Sequence, residues 1–97
     1  MSGGVADRRV AVAPGVVFRV VDGEAVLLDL DNQFYFTLDA VGTRMWSLLA
    51  EDGSLAAARR QLLTELDVTA ETLARDLDAL VDELLAKGLL VEVAAGG

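Results

Sequence analysis

Residues 33–49 read Gln33-Phe34-Tyr35-Phe36-Thr37-Leu38-Asp39-Ala40-Val41-Gly42-Thr43-Arg44-Met45-Trp46-Ser47-Leu48-Leu49, and the fold turns on where that stretch divides. Its first six residues set aromatic and β-branched side chains at a period of two, which suits a pleated strand. From Asp39 onward the apolar positions Val41, Met45, Leu48 and Leu49, with Trp46 beside them, recur at helical spacing. Asp39 is a good N-cap, because a carboxylate there accepts a backbone N–H of the first turn. A strand therefore runs into a helix with no linker. Phe34, Phe36 and Leu38 share the strand face that helices should cover, and Tyr35 and Thr37 point the other way.

Upstream, Pro14-Gly15 introduces the β-branched run Val16–Val21, which reads as a first strand. Asp22-Gly23 is a type I′ hairpin turn, since that geometry needs positive φ at both central residues. It leads to a second strand, Glu24–Leu30, with Val26, Leu28 and Leu30 on one face. Asp31-Asn32 supplies a second tight turn into the third strand, Gln33–Leu38. Two tight turns impose an antiparallel meander, with the first and third strands at its edges. Downstream, the first helix ends at Gly53, and Ser54 caps a second that runs to about Leu66. Thr69 caps the third and longest helix, which Gly88 stops, and Leu89–Val93 can add a short strand. The expected fold class is α+β: a three-stranded antiparallel meander followed by three helices, winged-helix-like. Residues 1–9 read as a disordered arm, 10–93 as one domain and 94–97 as a flexible tail.

The 97 residues contain no cysteine and no histidine. That removes thiolate nucleophiles, the commonest general base and the commonest metal ligands. The sixteen carboxylates are scattered rather than paired, so the chain reads as a non-enzyme without cofactor or metal. A net charge of −8 repels nucleic acid and anionic membrane surfaces. The third helix, second of a helix-turn-helix-like pair, carries Glu71, Asp76, Asp78, Asp82 and Glu83 against Arg75 and Lys87, which would push a phosphate backbone away. Arg8-Arg9 ahead of the apolar run Val10–Phe18 has a faint likeness to an export signal. Pro14-Gly15 breaks that run, and no segment approaches a membrane span, so a cytoplasmic location is expected.

What remains is the third strand. Edge strands are normally blunted by charge, proline or a bulge, and Gln33–Leu38 has neither charge nor proline. An undefended edge beside a long amphipathic helix is a receptor for β-augmentation: a guest peptide adds a strand and drops alternate side chains against the helix. The alternative is that Leu89–Val93, or a second copy of the protein, already covers the edge. On the third helix, Leu73, Leu77, Leu80 and Leu84 follow a seam that should seat on the core. Ala74, Asp78, Val81 and Leu85 form the adjoining stripe expected to face the guest. The expected peptide-binding set is Gln33, Phe34, Tyr35, Phe36, Thr37 and Leu38 with Ala74, Leu77, Asp78, Val81 and Leu85.

Tyr35-Phe36-Thr37-Leu38-Asp39, Gly42, Trp46-Ser47-Leu48-Leu49, Asp76-Leu77, Leu80-Val81, Leu84 and Gly88-Leu89-Leu90, in that order and spacing, resemble the PqqD-like family, the small domains also called RiPP recognition elements. The resemblance covers roughly Pro14 to Val93. Many relatives begin the first helix with Asn where this chain has Asp39, and both are good caps. The family implies three strands and three helices, and a leader segment of a ribosomally made precursor peptide lying between the third strand and the third helix. The strand leading to a tryptophan-bearing helix is most similar to the stand-alone leader-binding proteins of lasso-peptide biosynthesis. By that resemblance the partners are a precursor's leader peptide, a separate cysteine-protease subunit and, downstream, a macrolactam-forming cyclase. Other readings stay open: a pyrroloquinoline-quinone-type chaperone that presents its peptide to a radical enzyme, an acidic winged-helix regulator, and a dimerisation module.

Overall fold

The computed structural model describes residues 8–93; most of the expected arm, residues 1–7, and the expected tail, 94–97, lie outside the described residues. The elements in chain order are β1 (Arg9–Val12), β2 (Val16–Val21), β3 (Glu24–Asp29), β4 (Phe34–Thr37), α1 (Ala40–Glu51), α2 (Leu55–Glu65), α3 (Ala70–Ala86) and β5 (Leu90–Val93). The order β2-β3-β4 makes a three-stranded antiparallel sheet, and three helices follow it, the α+β arrangement expected. Asp22 and Gly23 both take positive φ, 53° and 80°, as the type I′ turn between β2 and β3 requires.

The register sets Phe18, Leu27 and Phe36 in one row on the helix side of the sheet. There Phe18 meets Trp46 edge-on, with ring centroids 5.4 Å apart at 80°. Trp46, Leu27, Leu49, Leu62, Leu73, Leu77 and Leu84 are fully buried and form the centre of the core. The neighbouring row, Val17, Leu28 and Tyr35, faces solvent. All three expected N-caps form: Asp39 accepts the Gly42 N–H, Ser54 that of Ala57 and Thr69 that of Thr72. Thr43 on α1 binds the helix to the sheet, because its hydroxyl accepts the Ala25 N–H at 2.7 Å and donates to the Leu38 carbonyl at 3.3 Å.

Two expectations are corrected. Arg8 and Arg9, read as part of a disordered arm, belong to the fold. Arg9 opens β1, which pairs with β5 in a separate two-stranded sheet, and the Arg8 guanidinium reaches Asp82 at 3.1 Å and Glu92 at 3.0 Å. β1 also lies along the α1–α2 joint, where the Val10 N–H donates to the Gly53 carbonyl at 2.9 Å. Gly53 takes a φ of 84°, and a Cβ there would strike the Val10 carbonyl oxygen, so only glycine suits the joint. The second correction concerns the β3–β4 turn, which spans Leu30 to Gln33 rather than Asp31-Asn32 alone. The Asp29 carboxylate takes over the turn's hydrogen bonding, accepting the N–H groups of Asp31 and Asn32 and the Asn32 side-chain amide. Gln33 leaves the turn at a φ of 56°, so it precedes the strand instead of opening it. Among the described residues no helix is long and apolar enough to cross a membrane.

Candidate functional site

β4 is short, apolar and paired on one side only: β3 occupies its inner edge, and among the described residues no strand pairs with its outer edge. The segment Leu89–Val93 does not cover it, since β5 and β1 form a two-stranded sheet of their own. In an antiparallel ladder, residues alternate between turning their backbone groups toward the partner strand and away from it. The Leu38 N–H donates to the Ala25 carbonyl at 2.9 Å. The register that sets Leu27 against Phe36 and Asp29 against Phe34 therefore turns the backbone groups of Phe34, Phe36 and Leu38 inward, to β3. Those of Tyr35 and Thr37 point outward from the free edge. Two residues thus offer an N–H and a carbonyl each to an incoming strand.

The side chains follow the other alternation. Phe34 and Phe36 are half-buried and pack on the core from the helix side, and Leu38 is buried where strand becomes helix. Tyr35 stands 68% exposed on the outer face, with Thr37 exposed beside it. At the turn end of the edge, Leu28, Asp29, Leu30, Gln33, Phe34 and Tyr35 line a shallow cavity of about 180 Å³. The Asp29 carboxyl there sits below the usual carboxylate range, chiefly through the Asn32 side-chain amide and then the Asn32 and Asp31 N–H groups.

Of the α3 residues expected to face the guest, two are buried. Leu77 and Val81 are 0% exposed and belong to the core, so neither is a surface for a guest. Asp78 lies 3.7 Å from the Arg8 guanidinium, and Asp82, one turn on, lies 3.1 Å from it. That flank of α3 is therefore turned toward Arg8 and β5. At 100° per residue, Ala74 and Leu85 share the Asp78 flank. The opposite flank is marked by Lys87, whose Nζ sits 5.4 Å from the centroid of the Phe36 ring. Leu80, two turns before Lys87 on the same flank, is partly buried against the core. Lys87 at the end of α3 thus meets Phe36 on β4, and Leu80 lies on the same flank of the helix. Sequence reasoning placed Leu80 in the core and did not single out Lys87 for the site. A helical period identifies a stripe but not which of its flanks borders which strand.

Residues 24–90 match the family model described as coenzyme PQQ synthesis protein D (PqqD). Among solved structures, one of TbiB1 in complex with the TbiA(beta) leader peptide is 39% identical, with a TM-score of 0.79, covering 82% of this chain and 93% of that one. A lasso peptide synthetase B1 complexed with the leader peptide is 25% identical, with a TM-score of 0.78, covering 86% of this chain and 98% of that one. No curated protein matches the sequence significantly.

Proposed function

The chain belongs to the PqqD family, and from that premise we propose that it is a leader-peptide-binding protein of lasso-peptide biosynthesis. The leader of a ribosomally made precursor adds a strand to β4, and its alternate side chains fill the groove between β4 and the Leu80–Lys87 flank of α3. The observation that carries this is the open edge itself, where Tyr35 and Thr37 turn unpaired backbone groups outward. The two leader-bound relatives support the choice of guest. The protein is not the catalyst: it holds the leader while a separate cysteine-protease subunit removes it and a macrolactam-forming cyclase acts afterward. The lack of cysteine and histidine in these 97 residues supports that division of labour.

Binding of this kind draws on ladder hydrogen bonds worth about 0.5–1.5 kcal/mol net each and on one or two apolar anchors worth about 1.5–3 kcal/mol each. Ordering the peptide subtracts several kcal/mol, which leaves a Kd between roughly micromolar and tens of nanomolar. Neither term is strongly screened by salt. The test is a calorimetric titration of a synthetic TbiA(beta) leader peptide at low and high salt, with duplex DNA in parallel. Leader affinity should persist across the series and DNA should not bind. No leader binding, leader binding that vanishes at high salt, or tight DNA binding would each overturn the reading.

A further inference from the structure

Lys87 is the C-cap residue of α3, where the negative end of the helix dipole favours a cation. Glu83 stands four residues before it, the spacing and order at which a glutamate–lysine pair forms most readily on a helix. No such ion pair forms: among the described residues no carboxylate lies within 4 Å of the Lys87 ammonium. Its ammonium lies instead over the Phe36 ring, on the strand whose outer edge no described strand pairs with. Arg75, the other cation of α3, lies three residues before Asp78, well around the helix from this flank. A lysine in a chain of net charge −8 thus leaves its helical glutamate and rests on an aromatic surface.

We infer that Lys87 selects an acidic side chain in the bound peptide, an inference that rests on the proposed peptide-binding edge. The backbone of Phe36 faces β3, so a guest residue opposite Phe36 occupies a non-hydrogen-bonded pair, the type in which side chains approach most closely. Residues directly opposite share a face of the sheet, so that guest side chain points to the α3 side, onto the Phe36 ring and under the Lys87 ammonium. A carboxylate there gains the charge partner that Lys87 lacks. The guest residue two positions away, opposite Phe34, meets an apolar surface. The ligand class is therefore an extended peptide with Asp or Glu two residues from an apolar side chain, both turned to the helix.

The test uses the full chain and a displayed library of random twelve-residue peptides, selected on the parent, K87E, K87Q and Y35P proteins after a thermal melt shows each to be folded. The parent should enrich Asp or Glu at one position, two residues from an apolar one. K87E should replace that acid with Lys or Arg, and K87Q should erase the preference. For a consensus peptide, exchanging Glu for Gln should weaken binding to the parent about three- to fivefold at low salt, the scale of an exposed ion pair, and should leave K87Q unaffected. Peptides that bind the parent, are lost on Y35P and show no acid preference, or show one that K87E leaves unchanged, would overturn the role of Lys87 while leaving the edge intact. No enrichment on the parent, or enrichment that Y35P does not diminish, would overturn the edge and Lys87's role together.

Discussion

Tyr35 and Phe36 are neighbours on one strand, but their backbone amides serve different partners. Phe36 turns its N–H to β3 and Tyr35 turns its N–H out of the sheet. Proline lacks that hydrogen, so the two substitutions separate folding from binding. Tyr35→Pro should keep the fold and weaken leader binding about tenfold or more, as a ladder bond is lost and a guest carbonyl is left unpaired. Phe36→Pro should lower the melting temperature, because it removes a bond that holds β4 to β3. Melting curves and a leader titration on both proteins check this, and a Tyr35→Pro protein that binds as tightly as the parent would refute the pairing. Trp46 is a different kind of residue. Fully buried against Phe18, it should be structural, and Trp46→Ala should cost about 3–5 kcal/mol of the roughly 5–15 a domain has. Its indole Nε1 has no hydrogen-bond partner among the described residues, so Trp46→Phe should cost clearly less, since the change also removes an unmet donor. Denaturant titration of the two variants orders them.

At the scale of the element, α3 is one helix with two working flanks and a buried seam between them. Val81 lies in that seam at 0% exposure, so Val81→Asp should unfold the domain by forcing a carboxylate into the core. Leu80→Ala, on the Lys87 flank and only partly buried, should leave a folded protein that binds leader several-fold more weakly. A melt and a titration on each variant decide the matter, and the opposite pattern would return the guest to the Asp78 flank. The same helix shows how far local pattern reaches. Its caps, its length and its stop at Gly88 were legible, because Thr69, the leucine period and a left-handed glycine at a φ of 75° act within a turn of themselves. The meander was legible for the same reason: Asp22-Gly23 and the alternation along β2 to β4 are local. The flank of α3 that Arg8 occupies was not, since Arg8 reaches it across more than seventy residues of sequence. β1 escaped notice likewise, as Arg9–Val12 becomes a strand only by pairing with Leu90–Val93. Asp29 hid in plain view: a carboxylate that builds a turn looks, in sequence, like any other polar residue at a strand end.

At the scale of the whole molecule, acid sensitivity follows from how the pieces are tied. Arg44 on α1 donates through Nε and Nη2 to both Glu65 carboxylate oxygens at 2.7 Å each. With Gln61 adding a further bond, the Glu65 carboxyl is pulled down to about 2. A carboxyl depressed in the folded state stabilises above its unfolded value, about 4.3 for Glu, and that stability is lost as pH falls through the folded value. The melting temperature should therefore hold from pH 7 to about 5 and decline between about 4 and 2. Glu65→Gln should flatten part of that decline; an identical acid profile in parent and variant would show that the α1–α2 tie does not matter. Asp29, lowered in the same direction, should loosen the approach to β4 as acid protonates its carboxylate. The β1–β5 sheet carries one more consequence. It sets Arg9 beside Val93, on the Arg8 side of α3, with the open edge across the helix. A tether joined at Arg9 or at Val93 starts at one place, outside the sheet that holds the free edge of β4. Joining those ends through a short glycine-serine loop, and cutting the chain instead at the exposed Asp22-Gly23 turn, should give a permuted protein that still takes up leader. The domain is in this sense a cassette, insertable into a longer polypeptide through one doorway while its working edge stays open.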